Sequence, residues 1–225
     1  MLTAMGDVLR KCYEKGWLTS RDGNISMRKC VDGIVSKNMY ISPAGVRKYN
    51  VHPEDIIKVD MSADSGDRDT DGVSTEFFMH SFLQEDAKSS RVVLHVHPTY
   101  VVAAMFAGWD LQELAKKFPE ISRYTKVGPT VGFFDAGTVD LASATDFAFR
   151  NGGPANKIQY DIVGQANHGV CVVGKNPWDC YEHCERLSHI CEIVLASGVK
   201  PDSQKESWLF RARPSTEIYE SHYDE

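Results

Sequence analysis

A chain of 225 residues, 42% hydrophobic and 25% charged, suits one domain with its own core and is short for two. Its formal net charge of −6 disfavours nucleic acid and anionic membrane surfaces as main partners and leaves a small molecule as the expected one. No stretch approaches the ~18 unbroken apolar residues of a membrane span, MLTAMGDVLRKCYEKGW carries charges where a secretory leader is apolar, and six cysteines without a framework spacing suggest reduced thiols, so a cytoplasmic protein is expected.

In chain order, the first element is an amphipathic helix over residues 2 to 15, with Leu2, Met5, Leu9 and Cys12 at helical spacing and Gly16 placed to end it. ISMRKCV and IVSKNMYIS flank Asp32-Gly33, a two-residue hairpin signature. IIKVDM reads as a third strand and runs into MSADSGDRDTDG, an acidic surface loop. STEFFMHSFLQEDA predicts a helix capped by Ser74, with Phe77, Phe78, Phe82 and Leu83 at core spacing. RVVLHVH is an apolar strand. It is followed by a helix in TYVVAAMFAGWD, a short charged helix in DLQELAKKF and an extended KVGPTVGFF. TVDLASATDFAFRN predicts a helix opened by Thr138, and QYDIVGQ with GVCVVG predicts a hairpin whose tip holds Asn167, His168 and Gly169. The longest helix opens on Asn176-Pro177 and runs to Gly198, with Cys180, Cys184 and Cys191 along one core-facing stripe. The pattern predicts an α/β protein of the α+β type: one domain over residues 1 to 200, with a central, mostly antiparallel sheet flanked by helices. Residues 201 to 225 form an extension expected to pack on the same domain or on a neighbouring subunit.

His95 and His97 raise a chemical question. In a strand they lie on one face, roughly 6 to 7 Å apart. Two buried imidazoles double the desolvation cost unless something takes up both nitrogens, so the choice is between a metal ion and a hydrogen-bonded core pair. Three further polar stretches fall at turns: Gly23-Asn24-Ile25-Ser26, Ser42-Pro43-Ala44-Gly45 and Ser74-Thr75-Glu76. Taken singly, these read as a tight turn, a proline turn and a helix cap.

Together and in this order, with His95, His97 and His168-Gly169, they resemble the class II aldolase and adducin head family, which includes L-fuculose-1-phosphate aldolase and L-ribulose-5-phosphate 4-epimerase. The resemblance runs from about residue 5 to about residue 200 and implies a three-layer class II aldolase-like architecture. It implies that His95, His97 and His168 hold Zn2+, or Mn2+ or Co2+, with one position open to a substrate oxygen. Glu76 would stand beside the ion as the proton shuttle, its pKa raised by burial near Phe77 and Phe78. Asn24, Gly45, Ser74 and Thr75 would surround an anionic group of the substrate, and Tyr124 would serve as the acid of a neighbouring subunit in a homotetramer.

The implied reaction is aldol cleavage of a small ketose phosphate through a metal-stabilised enediolate. An epimerase, a dehydratase or an oxo-acid decarboxylase would use the same site, and an adducin-like binding scaffold is the non-enzyme alternative. Two departures bear on the ligand. Arg21-Asp22 replaces small residues before Gly23, and Ala44 replaces a hydroxyl, which leaves phosphate, carboxylate and plain hydroxyl open. His80, one turn after Glu76, either orients that carboxylate or is a core histidine.

Overall fold

The computed structural model describes residues 1–151 and 157–201. Asp32 and Gly33 take positive φ values of 51° and 79° and fold β1 (Asn24–Val31) back onto β2 (Ile34–Ile41). The sheet is completed by β3 (Ile57–Asp60), β4 (Arg91–Val96), β5 (Ile162–Gln165) and β6 (Gly169–Gly174) in the order β3-β2-β1-β4-β6-β5. Each strand pair is antiparallel, in line with the expected sheet. The stretch expected to be extended after Lys126 adds two isolated parallel bridges, Val127 to Ile162 and Val131 to Gln165.

Helices cover both faces. On one side lie α1 (Leu2–Glu14), α3 (Thr99–Phe106), α4 (Leu111–Lys117), α5 (Pro119–Tyr124) and α7 (Pro177–Ala196). On the other lie α2 (Phe77–Glu85) and α6 (Val139–Phe149). Strand β4 shows why three layers form: Val92, Leu94 and Val96 enter the core under α7, whereas Val93 and His95 face α2, and all five are buried. Cys12, Cys180, Cys184 and Cys191 are free thiols in the first of these cores, where burial pushes their pKa values up and holds them protonated. Thr138 caps α6 and Asn176 caps α7 with side-chain oxygens, each a contribution of about 1 kcal/mol.

Two expectations about α2 are corrected. Ser74 is not its cap, because Val73 is held in an extended bridge to Pro43 and the helix begins only at Phe77, with Glu76 in the cap position. Phe78 is 43% exposed and Phe77 only half-buried, while Met79 and Leu83 enter the core with Phe82 packed beside them. Of the four predicted core positions only Phe78 fails: Leu83 and Phe82 join the core, and Phe77 packs beside Met39, Ile41 and Val59. The C-terminal extension expected after residue 200 lies, apart from Pro201, outside the described residues.

Candidate metal centre

The three histidines arrive from two places. His95 sits near the end of β4, where its Nδ1 is 3.1 Å from the Val170 carbonyl. A carbonyl only accepts, so Nδ1 carries the ring proton and Nε2 has a free lone pair. His97 follows β4, tied by its backbone N–H to the Trp17 carbonyl, and its Nε2 lies 2.8 Å from His95 Nε2. His168 is carried in by the β5–β6 hairpin. Gly169 is what permits this approach: a Cβ there would lie 2.5 Å from the Val96 oxygen and 2.6 Å from His97 Cδ2. One side-chain nitrogen from each histidine falls within a group no wider than 4.8 Å.

Glu76 closes the group. Its Oε2 is 3.3 Å from His95 Nε2 and its Oε1 is 3.7 Å from His168 Nε2. Burial pushes the carboxyl up to about 7, tempered by a hydrogen bond from the Gly137 backbone amide. Burial also holds the histidines neutral: His95 lies well below its ordinary pKa, His97 is lowered against the pull of Asp22, and His168 is held at about 4. Buried His95 and the half-buried His97 and His168 therefore converge as neutral rings. His168 Nδ1 and Glu76 Oε2 are both buried without a hydrogen-bond partner. Glu76 Oε2 is an orphaned buried acceptor beside the bare Nε2 of His95, a gap that a divalent cation satisfies, so these residues fit one.

Asp22 takes a role that sequence reasoning did not assign. Its carboxylate accepts from the Thr19 N–H at 2.6 Å and the Thr19 hydroxyl at 2.8 Å, and lies 3.5 Å from His97 Nδ1. A carboxylate behind a ligating imidazole orients the ring and raises its basicity. Instead of facing a substrate anion, Asp22 is turned toward His97. The signal was the acidic residue just before Gly23, whose φ of 69° sends the chain directly into β1.

The segments expected to hold an anion do meet. Asn24 pairs with His95 across the β1–β4 ladder, so the two share a sheet face. Ser42 bonds to Ile25 through both its backbone N–H and its Oγ. The turn after it is tied to the third segment by the Ala44 N–H to the Gly72 carbonyl and by the Pro43–Val73 bridge. Ser74 is buried next to that bridge, and Thr75 and Gly45 are exposed. Beneath the turn, fully buried Lys48 donates from Nζ to the Pro43 carbonyl at 3.0 Å, and burial lowers its pKa to about 8 against the pull of Asp22. Lys48 went unnoticed because a lysine between Arg47 and Tyr49 carries no sequence sign of burial.

Tyr124 is not brought to this group within one chain. It ends α5, in the layer across the sheet from α2, 56% exposed, with the guanidinium carbons of Arg123 and Arg186 5.3 and 5.6 Å from its ring centre. Arg21 is exposed.

Residues 3–195 match the family described as Class II Aldolase and Adducin N-terminal domain. The chain is similar to an L-fuculose phosphate aldolase of Methanococcus maripaludis, 25% identical over 192 residues covering 85% of this chain and 94% of that one. It is also similar to a 3-oxo-tetronate 4-phosphate decarboxylase of Pectobacterium atrosepticum, 26% identical over 195 residues covering 83% and 79%. Its fold resembles the crystal structure of L-fuculose-1-phosphate aldolase from Thermus thermophilus, with a TM-score of 0.66 and 21% identity over 89% of this chain and 98% of that one.

Proposed function

The chain belongs to the class II aldolase and adducin family, and from that premise we propose that it is a zinc-dependent lyase that cleaves a carbon–carbon bond in a small ketose phosphate. The observation that carries this reading is the convergence of His95, His97 and His168 with the carboxylate of Glu76, 3.3 Å from His95 Nε2 and 3.7 Å from His168 Nε2. His95, His97 and His168 would hold the ion, with manganese or cobalt as substitutes. A divalent ion there supplies positive charge that polarises adjacent substrate oxygens and offsets the charge released when the bond breaks.

The chain's own residues do the rest. Glu76 moves a proton between substrate oxygen and carbon, a task suited to a buried carboxylate held beside the three imidazoles. Asn24, Gly45, Ser74 and Thr75 seat the terminal anion, and the buried ammonium of Lys48 adds favourable charge under the turn. Tyr124, from a neighbouring subunit of a homotetramer, exchanges the proton of the hydroxyl that becomes the aldehyde. Its exposure and its two arginine neighbours suit a residue that works across a subunit contact. Presence of all three histidines and the glutamate counts against a purely scaffolding, adducin-like role. No helix among the described residues is long and apolar enough to cross a membrane.

Similarity to the Pectobacterium decarboxylase supports a second reading, loss of carbon dioxide from a phosphorylated oxo acid at the same centre. Epimerisation or dehydration would make similar demands on Glu76. Incubating the zinc-loaded protein with matched ketose phosphates and oxo-acid phosphates, and following products by mass, separates these. An aldehyde and a three-carbon ketone phosphate are expected. Release of carbon dioxide alone would replace the first reading with the second, and an inert protein would favour the scaffold.

A further inference from the structure

Helix α2 lays a polar stripe on β1. Glu76, His80 and Gln84 are four residues apart and share a face of the helix, while Asn24 and Ser26 are two apart and share a face of the strand. Gln84 Nε2 lies 3.2 Å from the Arg91 carbonyl and 3.1 Å from Ser26 Oγ, and a carbonyl only accepts, so the amide nitrogen donates to both. Ser26 is fully buried, and its own O–H has His80 Nδ1 as the acceptor within reach, at 2.7 Å. Nδ1 is therefore the bare nitrogen and Nε2 carries the proton. That N–H meets Asn24 Oδ1 at 2.5 Å. With its oxygen engaged, the Asn24 amide has only N–H groups left to offer. Full burial keeps the ring neutral, its pKa pushed down to about 3, so the direction of the chain holds across the physiological range.

We infer that His80 is a positioning residue for Asn24: the one-way chain from Gln84 through Ser26 and His80 locks the Asn24 amide with its nitrogen outward, so this corner of the site accepts only a hydrogen-bond acceptor. Both ring nitrogens of His80 are engaged this way, which leaves none for Glu76. The spacing of four serves the anion subsite, not the proton shuttle. A carboxylate or phosphate oxygen fits such a corner, and a sugar hydroxyl there must act as acceptor. This rests on the proposed reading that Asn24 lines the anion pocket.

The test uses the zinc-loaded full chain with inorganic phosphate as the probe. In His80→Leu, phosphate binding should weaken about tenfold or more, the scale of one misdirected buried hydrogen bond to a charged group, while zinc content stays at the wild-type level. His80→Gln, whose amide can accept from Ser26 and donate to Asn24, should remain within about threefold of wild type. Spectra of 15N-labelled histidine should place the His80 proton on Nε2. Unchanged phosphate binding in a folded, zinc-loaded His80→Leu, or equal losses in the Leu and Gln variants, would overturn the inference. So would a His80 proton on Nδ1, which needs no variant to fold. If wild type binds no phosphate, the anion reading fails, and the tautomer then decides the His80 inference by itself.

Discussion

The two faces of the central sheet share the same strands and differ in what holds them. Under α7, Val92, Leu94 and Val96 meet Cys180, Cys184 and Leu187, an apolar interface whose directed contacts are weak ones from the Cys180 thiol to the Val92 and Val172 carbonyls. Under α2, the alternate residues of the same strands meet Glu76, His80 and Gln84, where His80, Ser26 and the Gln84 amide nitrogen are held by directed hydrogen bonds and Glu76 Oε2 is left without one. One residue along a strand separates a surface held by shape from one that also needs directed polar partners. Within one chain, the histidine and glutamate group and the His80 hydrogen bonds lie on the α2 side, so substitutions on the two faces should fail in different ways.

Glu76→Gln is expected to have the largest effect. It keeps shape and metal content but removes the proton carrier, and turnover should fall roughly 100-fold or more. Wild-type rates on whatever substrate the product screen reveals would reduce Glu76 to a helix-start residue and erase the contrast between the faces.

Asp22→Ala comes next. Loss of the group behind His97 should weaken zinc binding by about 10- to 100-fold in chelator competition, with the lower end expected because the Asp22 side chain is 32% exposed. Unaltered zinc affinity would detach Asp22 from the centre.

Acid should act on the polar face through His80. Its folded pKa of about 3 lies below the ordinary 6.5, so the unfolded chain binds the extra proton first. The associated stability is present above pH 6.5 and is lost as pH falls toward 3, about 1 kcal/mol of it by pH 5.5. Urea unfolding at several pH values should show this slope in wild type and a reduced one in His80→Gln. Identical slopes would mean that the ring is not held neutral.

The smallest effect belongs to the apolar face. Ile190→Val on α7 should cost about 0.5 to 1.5 kcal/mol of stability and leave kcat and KM of the folded enzyme unchanged. A change in KM would show that the two faces are coupled.

How much of this could be read in advance follows from range. Strand parity put His95 and His97 on one side and hairpin spacing put His168 at a tip, but local rules did not join the third to the first two; only the family resemblance did. The Asp32-Gly33 turn, the caps Thr138 and Asn176, and the antiparallel sheet were legible from local rules. The start of α2 was not, because a bridge from Val73 to Pro43, far back in the chain, overrides the capping signal of Ser74. Asp22 and Lys48 depend on how the loop before Gly23 meets the turn after Ser42, joined by the Lys48 N–H to the Ser20 carbonyl. His80 was visible as a choice between orienting Glu76 and a place in the core, and the Ser26 and Asn24 side chains of β1, with Gln84 beside them, decide it.

Metal content in the wild type and in the His95→Ala, His97→Ala double variant tests the central claim most directly. Elemental analysis of the purified proteins should find one divalent ion per chain in the first and none in the second, with both folded by circular dichroism. A folded double variant that retains a full equivalent of metal would contradict the account.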